Sequence, residues 1–79
     1  MKSIGILGST GSVGKQALDV ILNNPNKFKV KYLACNSNFK ELAKQANLCN
    51  PEYICIINHD KCKLLKKVNI PNRIKILSG

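Results

Sequence analysis

Residues 8–14 of this 79-residue chain read Gly8-Ser9-Thr10-Gly11-Ser12-Val13-Gly14. The run follows the apolar stretch Ile4-Gly5-Ile6-Leu7 and opens onto a helical pattern. Glycines allow positive φ and let a ligand approach the backbone. The helix that follows presents unpaired N–H groups and the positive end of its dipole. Strand, glycine turn and helix together suit a diphosphate, and hence a dinucleotide. The spacing is G-x-x-G-x-x-G, whereas the common fingerprint is G-x-G-x-x-G. Gly11 and Gly14 match its second and third glycines, and the first has moved back by one, to Gly8. A Walker A loop does not fit. Five residues separate Gly8 from Gly14 where that motif has four, and Gln16 stands where its magnesium-binding Ser or Thr belongs. An ordinary βα turn is the competing reading, and the flanking strand and helix favour the phosphate.

A dinucleotide fold reads the adenosine ribose at the end of the second strand. An acid there suits NAD, and a basic residue suits NADP. This chain has Cys35-Asn36-Ser37-Asn38. The missing acid argues for NADP, while the missing base leaves the selection incomplete. Asn36, Ser37 and Asn38 can donate hydrogen bonds to a phosphate, and Lys40 can add charge. Asn38 also suits a helix cap, a role compatible with phosphate binding.

The elements that must hold these residues follow from periodicity. Lys2–Leu7 reads as a strand. Ser12 is the expected cap of a helix whose stripe is Val13, Ala17, Val20 and Ile21, widened by Leu18 and Leu22. Pro25 ends it. Phe28–Cys35 reads as a second strand: Phe28, Val30 and Tyr32 alternate with lysines, then Leu33-Ala34-Cys35 is continuously apolar. Asn38 and Glu41 form a capping-box-like pair for a second helix, with Phe39, Leu42, Ala43 and Ala46 inward. Asn50-Pro51 closes it. Tyr53–Ile57 suits a buried parallel strand. Asp60 is the expected cap of a short basic helix through Lys67, with Leu64 and Leu65 inward. After a loop around Pro71, Ile74–Leu77 reads as the last strand. The order β-α-β-α-β-α-β implies parallel strands with right-handed crossovers. This is α/β: the first half of a Rossmann-like doubly wound parallel sheet.

Composition narrows the classes. A chain of this length forms one small domain and buries only about 60% of its unfolded surface. No segment approaches the roughly 20 apolar residues of a membrane span. No secretory leader is visible, so the expected location is cytoplasmic. Cys35, Cys49, Cys55 and Cys62 form no C-x-x-C pair. Cys55, His59 and Cys62 could be imagined as metal ligands, but reduced thiols are the simpler reading. The net charge is +9, from thirteen Lys plus Arg against four acids. Such a charge raises nucleic acid as a partner. The lysines, however, are spread along the whole chain, aromatics are few, and the abundance of Asn and Ile points to A/T-rich codons. Solvated surface lysine is the favoured reading.

Taken together, these residues resemble the amino-terminal segment of the 1-deoxy-D-xylulose 5-phosphate reductoisomerase family. Gly8–Gly14 matches the family's GSTGSIG run with Val13 for isoleucine. Leu18-Asp19-Val20-Ile21, Asn24-Pro25, Phe28, Leu33-Ala34, Asn38, Leu42, Gln45, Pro51 and Leu77-Ser78-Gly79 follow at the family's spacing. The resemblance implies NADPH as cofactor, with Thr10, Gly11, Ser12 and Val13 on the diphosphate and Asn38 beside the adenosine phosphate. It implies reduction and rearrangement of 1-deoxy-D-xylulose 5-phosphate to 2-C-methyl-D-erythritol 4-phosphate in non-mevalonate isoprenoid biosynthesis. The family also uses a divalent metal, Mg or Mn, and tends to dimerise. Asn36 and Ser37 depart from the family's glycine and basic residue, which bears on NADPH selection.

The family's metal carboxylates, sugar phosphate site and lid lie downstream of residue 79, so no catalytic or metal residue is expected here. His59 and Asp60 match no catalytic role. Residues 1–79 are thus expected to be the amino-terminal part of an NADPH-binding domain, inactive alone and with an unpaired strand edge. Two alternatives stand beside this reading. One is another NADP-dependent reductase such as an aspartate-semialdehyde dehydrogenase, against which Leu18–Phe28 speaks. The other is a basic nucleic-acid-binding module.

Overall fold

The computed structural model describes residues 2–78; Met1 and the closing Gly79 of the motif series lie outside them. The elements are β1 (Lys2–Leu7), α1 (Ser12–Leu22), β2 (Phe28–Cys35), α2 (Phe39–Cys49), β3 (Tyr53–Ile56), α3 (His59–Leu65) and β4 (Lys75–Ser78). All strand pairs are parallel, in the order β1-β2-β3-β4. This is the expected Rossmann-like half sheet.

Each crossover steps one strand in the same direction. With right-handed connections this places α1, α2 and α3 on one face. Burial follows from it. Ile6, Leu33 and Ile54 lie side by side under the helices and are buried, as are Leu18, Leu42, Ile56 and Leu65. Their neighbours on the second face are more open: Leu7 is 77% exposed and Leu77 is exposed, with Cys55 between them half-buried. β3 is therefore covered on one side only, not on both as its apolar run suggested. On the open face Tyr32 stacks on Tyr53, with ring centroids 5.6 Å apart and planes 10° apart. The Tyr32 ring occupies the place that a Cβ on Gly5 would take. The β1–β2 register shifts at Ile4/Gly5.

Four local expectations need correction. Ser12 does not cap α1. It is the first helical residue, the N-cap is Gly11, and no side chain bonds the helix start. Asp60 does not cap α3. Asn58 does, its Oδ1 accepting from the Lys61 amide at 3.1 Å, and Asp60 lies in the first turn. The Asn58 amide donates to the Asn36 carbonyl at 2.8 Å, which holds Asn58 extended at the end of β3 where a cap is needed. Finally, only Leu18 and Ile21 of the α1 stripe are buried; Val13 (79% exposed), Val20 and Leu22 are exposed. Among the described residues no strand lies beyond β1, so none lies beneath the outer half of the stripe. Leu64 is likewise exposed, and α3 turns Cys62 and Leu65 inward.

The thiols add a pH dependence. Cys49 packs against the core at the end of α2, and burial pushes its thiol up from 9.0 to about 11. Folding thus disfavours the thiolate. Its contribution is constant below about pH 9 and is lost as pH rises through the folded value. The midpoint of chemical denaturation is expected to fall between pH 9 and 11, and Cys49→Ala should remove part of that slope.

Candidate functional site at the carboxyl edge of the sheet

Parallel strands deliver their carboxyl ends to one edge, and the two predicted clusters meet there. Leu7 pairs in register with Ala34, so the glycine turn after β1 lies beside the end of β2. The Ser9 amide donates to the Ala34 carbonyl at 3.0 Å, tying the turn to β2. The Gly11 amide closes the turn onto the Gly8 carbonyl at 3.0 Å.

The three glycines have different physical reasons. Gly8 has φ +66, which L side chains rarely adopt. A Cβ on Gly14 would run into the Gly8 carbonyl oxygen and lie 2.7 Å from Ser9 Cα, so Gly14 lets α1 sit directly on the turn. Gly11 needs neither. Its φ of −80 and ψ of 172 suit any residue, and a Cβ there would meet only the Gly8 oxygen, at 3.5 Å. The backbone and the packing would both accept a side chain at 11.

No side chain caps α1, and Ser12, Val13 and Gly14 occupy its first three positions. Their amides have no carbonyl one turn earlier in the helix to bond. They form a donor set with positive dipole potential and no acid in the first turn. Thr10 completes the turn, half-buried, and the Cys35 thiol nearby donates to the Asn38 carbonyl at 3.8 Å. Burial raises the Cys35 pKa, with Thr10 and the bond to the Asn38 backbone opposing it. An open cleft of about 730 Å³ starts at Gly8, Gly11 and Ser12 and runs along the free edge of β1 past Ile4 and Val20. Its polar end is the amide set; the remainder is the apolar flank of β1 and α1.

The second cluster stands at the start of α2. Asn38 is the N-cap, its Oδ1 accepting from the Glu41 amide at 3.3 Å. Only half of the expected capping box forms, because the Glu41 carboxylate turns to Lys15 at 3.7 Å instead. The cap uses only the side-chain oxygen, so phosphate donation from the Asn38 –NH2 group remains compatible with it. Asn36 is exposed and Ser37 half-buried; their carbonyls accept from the Asn58 and Phe39 amides, each at 2.8 Å.

Gln45 was not foreseen as part of this site. It is 3% exposed, and its Nε2 donates to the Ser9 carbonyl at 2.8 Å, linking α2 to the turn. The available signal was a polar residue among Leu42, Ala43 and Ala46 on the buried face of α2. Beside it, Ser9 Oγ and Gln45 Oε1 are buried with no partner among the described residues. A buried hydroxyl that bonds nothing costs about 1–3 kcal/mol. Ser9→Ala is therefore expected to stabilise the fold by up to about 1 kcal/mol in chemical denaturation. A loss of stability instead would mean that a buried water joins Ser9 to Gln45.

Four parallel strands, three crossover helices and an uncapped helix start behind a glycine turn define the first half of a Rossmann-like domain. The family model for 1-deoxy-D-xylulose 5-phosphate reductoisomerase matches residues 4–79, and the chain belongs to that family. Relatives bearing that name include one from Wolbachia pipientis subsp. Culex pipiens, 40% identical over 79 residues, and one from Thermodesulfovibrio yellowstonii, 44% identical over 79 residues. All of this chain aligns with 20% of each, so it spans about a fifth of their length. The Zymomonas mobilis reductoisomerase in complex with NADPH superposes with a TM-score of 0.91 at 29% identity, over 99% of this chain and 21% of that one. A DOX-P reductoisomerase structure in complex with NADPH, fosmidomycin and magnesium gives 0.82 at 28% identity, over 100% of this chain and 20% of that one.

Among the described residues, no group of three His, Cys, Asp or Glu is placed to hold a metal ion. No helix among them is long and apolar enough to cross a membrane.

Proposed function

We propose that this chain is the NADPH-binding part of a 1-deoxy-D-xylulose 5-phosphate reductoisomerase. Thr10, Gly11, Ser12 and Val13 hold the cofactor diphosphate, and Asn36, Ser37 and Asn38 receive the adenosine ribose and its 2′-phosphate. Gly11 carries this reading. The fold would accept a side chain there, whereas a diphosphate lying on the amides of Ser12 and Val13 would not. The cradle that a Cβ would fill fits the group the family uses.

When bound, NADPH supplies the hydride for the reductive step of the family's conversion to 2-C-methyl-D-erythritol 4-phosphate. This chain's residues bind and orient. The α1 amides fix the diphosphate, and Gln45 with the Ala34 carbonyl fixes the turn that carries them. By the family resemblance, the divalent metal and the sugar phosphate are bound by residues other than these 79, so activity is not expected of this chain alone. A homodimeric enzyme is the setting the family resemblance implies.

Titration with NADPH and with generic DNA at two salt concentrations tests the proposal. Saturable NADPH binding that survives added salt is expected. DNA binding that salt abolishes, with no response to NADPH, would support the basic-module reading instead.

A further inference from the structure

The Asn36-Ser37-Asn38 segment holds no cation, yet a 2′-phosphate carries about two negative charges that hydroxyl and amide donors alone neutralise poorly. The neighbouring strand supplies what the segment lacks. β3 ends beside β2, and the segments that follow them are laced together. The Ile57 amide donates to the Cys35 carbonyl at 3.0 Å, and the Asn58 amide to the Asn36 carbonyl at 2.8 Å. Asn58 then caps α3 through the Lys61 amide, which fixes the position of Lys61. From there its ammonium lies over the ring of Phe39, 5.9 Å from the centroid. Phe39 is the first residue of α2, directly after Asn38. Lys61 is half-buried, whereas Lys40, one residue beyond Phe39, is exposed.

We infer that Lys61 is the specificity-determining cation of the nucleotide site, selecting NADPH over NADH by pairing with the 2′-phosphate from the β3–α3 side. The assignment rests on the nucleotide reading above. A cation parked on an aromatic ring is held at modest cost, roughly 0.5–1 kcal/mol at exposed sites, and can swing to a stronger anionic partner. The chain would thus replace a charge usually carried by the second strand's own loop with one from the adjacent helix.

The test compares NADPH and NADH affinities of the 79-residue chain with those of Lys61→Gln, Lys61→Arg, Lys40→Gln and Lys27→Gln. Lys27 precedes β2, at the opposite edge of the sheet, and controls for net charge. Lys61→Gln is expected to weaken NADPH about tenfold while leaving NADH unchanged, as loss of one charge-assisted contact predicts. Lys61→Arg should retain the preference, and Lys27→Gln should not alter it. Equal loss of both nucleotides in Lys61→Gln would overturn the assignment, as would a preference that disappears in Lys40→Gln instead. A wild-type chain that binds neither nucleotide would overturn the site reading and this assignment together. A wild-type chain that binds both equally would overturn only the selectivity.

Discussion

Gly11→Asp is expected to abolish NADPH binding while leaving the fold as stable as before or slightly more so. Gly11 is the N-cap of α1 and has ordinary extended angles, so aspartate fits without strain. Asp is among the best N-cap residues, and its charge suits the helix dipole; against Gly the gain is a few tenths of a kcal/mol. The same carboxylate would satisfy amides of the first turn and place a negative charge where the diphosphate must lie. Like charges in one site cost several kcal/mol, so an affinity loss of at least about 100-fold is expected, roughly 2.7 kcal/mol or more. Isothermal titration and chemical denaturation of the same variant read both effects. A variant that keeps its affinity would remove the turn from the site. A variant that unfolds would show that Gly11 serves the fold, not the ligand.

Gly14→Ala should have the opposite signature. The added methyl meets the Gly8 carbonyl oxygen and Ser9 Cα, both backbone, so no side chain can move aside to make room. Either α1 lifts from the turn or the turn deforms. Overpacking of this kind costs about 1–3 kcal/mol, sometimes more, and about 3 kcal/mol is expected here because the obstacle is main chain. Nucleotide affinity should fall with stability, since the turn is pinned by Gln45 and Ala34 in one geometry. A stability change below about 0.5 kcal/mol, which is ordinary for surface substitutions, would contradict the close packing of α1 on the turn. A small core makes the effect easy to read, because so short a chain has little stability in reserve.

The element order could be read from the sequence because its signals were local and agreed with one another. β2 shows this best: lysines alternate at its start and apolar residues run together at its end, and Leu33, Ala34 and Cys35 are indeed buried. Asn38 could be read as a cap because its side chain bonds an amide only three residues away. The misreadings involve partners distant in sequence. Asn58 and Asp60 are both good capping residues, and the choice between them was made by a hydrogen bond to Asn36, in the segment that follows β2. The α1 stripe is visible in the sequence, but periodicity does not say how wide a sheet lies beneath it, and Val13 and Val20 are exposed. Gln45 was hidden for the same reason: its partner, the Ser9 carbonyl, lies 36 residues earlier. At the site itself the glycine spacing was plain in the sequence. That Gly8 serves conformation, Gly14 packing and Gly11 neither could be seen only once α1 was placed on the turn.

The central claim is that amides at the start of α1 bind the diphosphate of NADPH. Backbone amide chemical shifts of the isotopically labelled chain, followed during NADPH titration near physiological ionic strength, test it most directly. Saturable movement is expected, centred on Gly11, Ser12 and Val13, with a second set at Asn36, Ser37 and Asn38. If those amides stay still while the cationic surface around Lys29, Arg73 and Lys75 at the far edge of the sheet responds, the diphosphate does not lie on the start of α1.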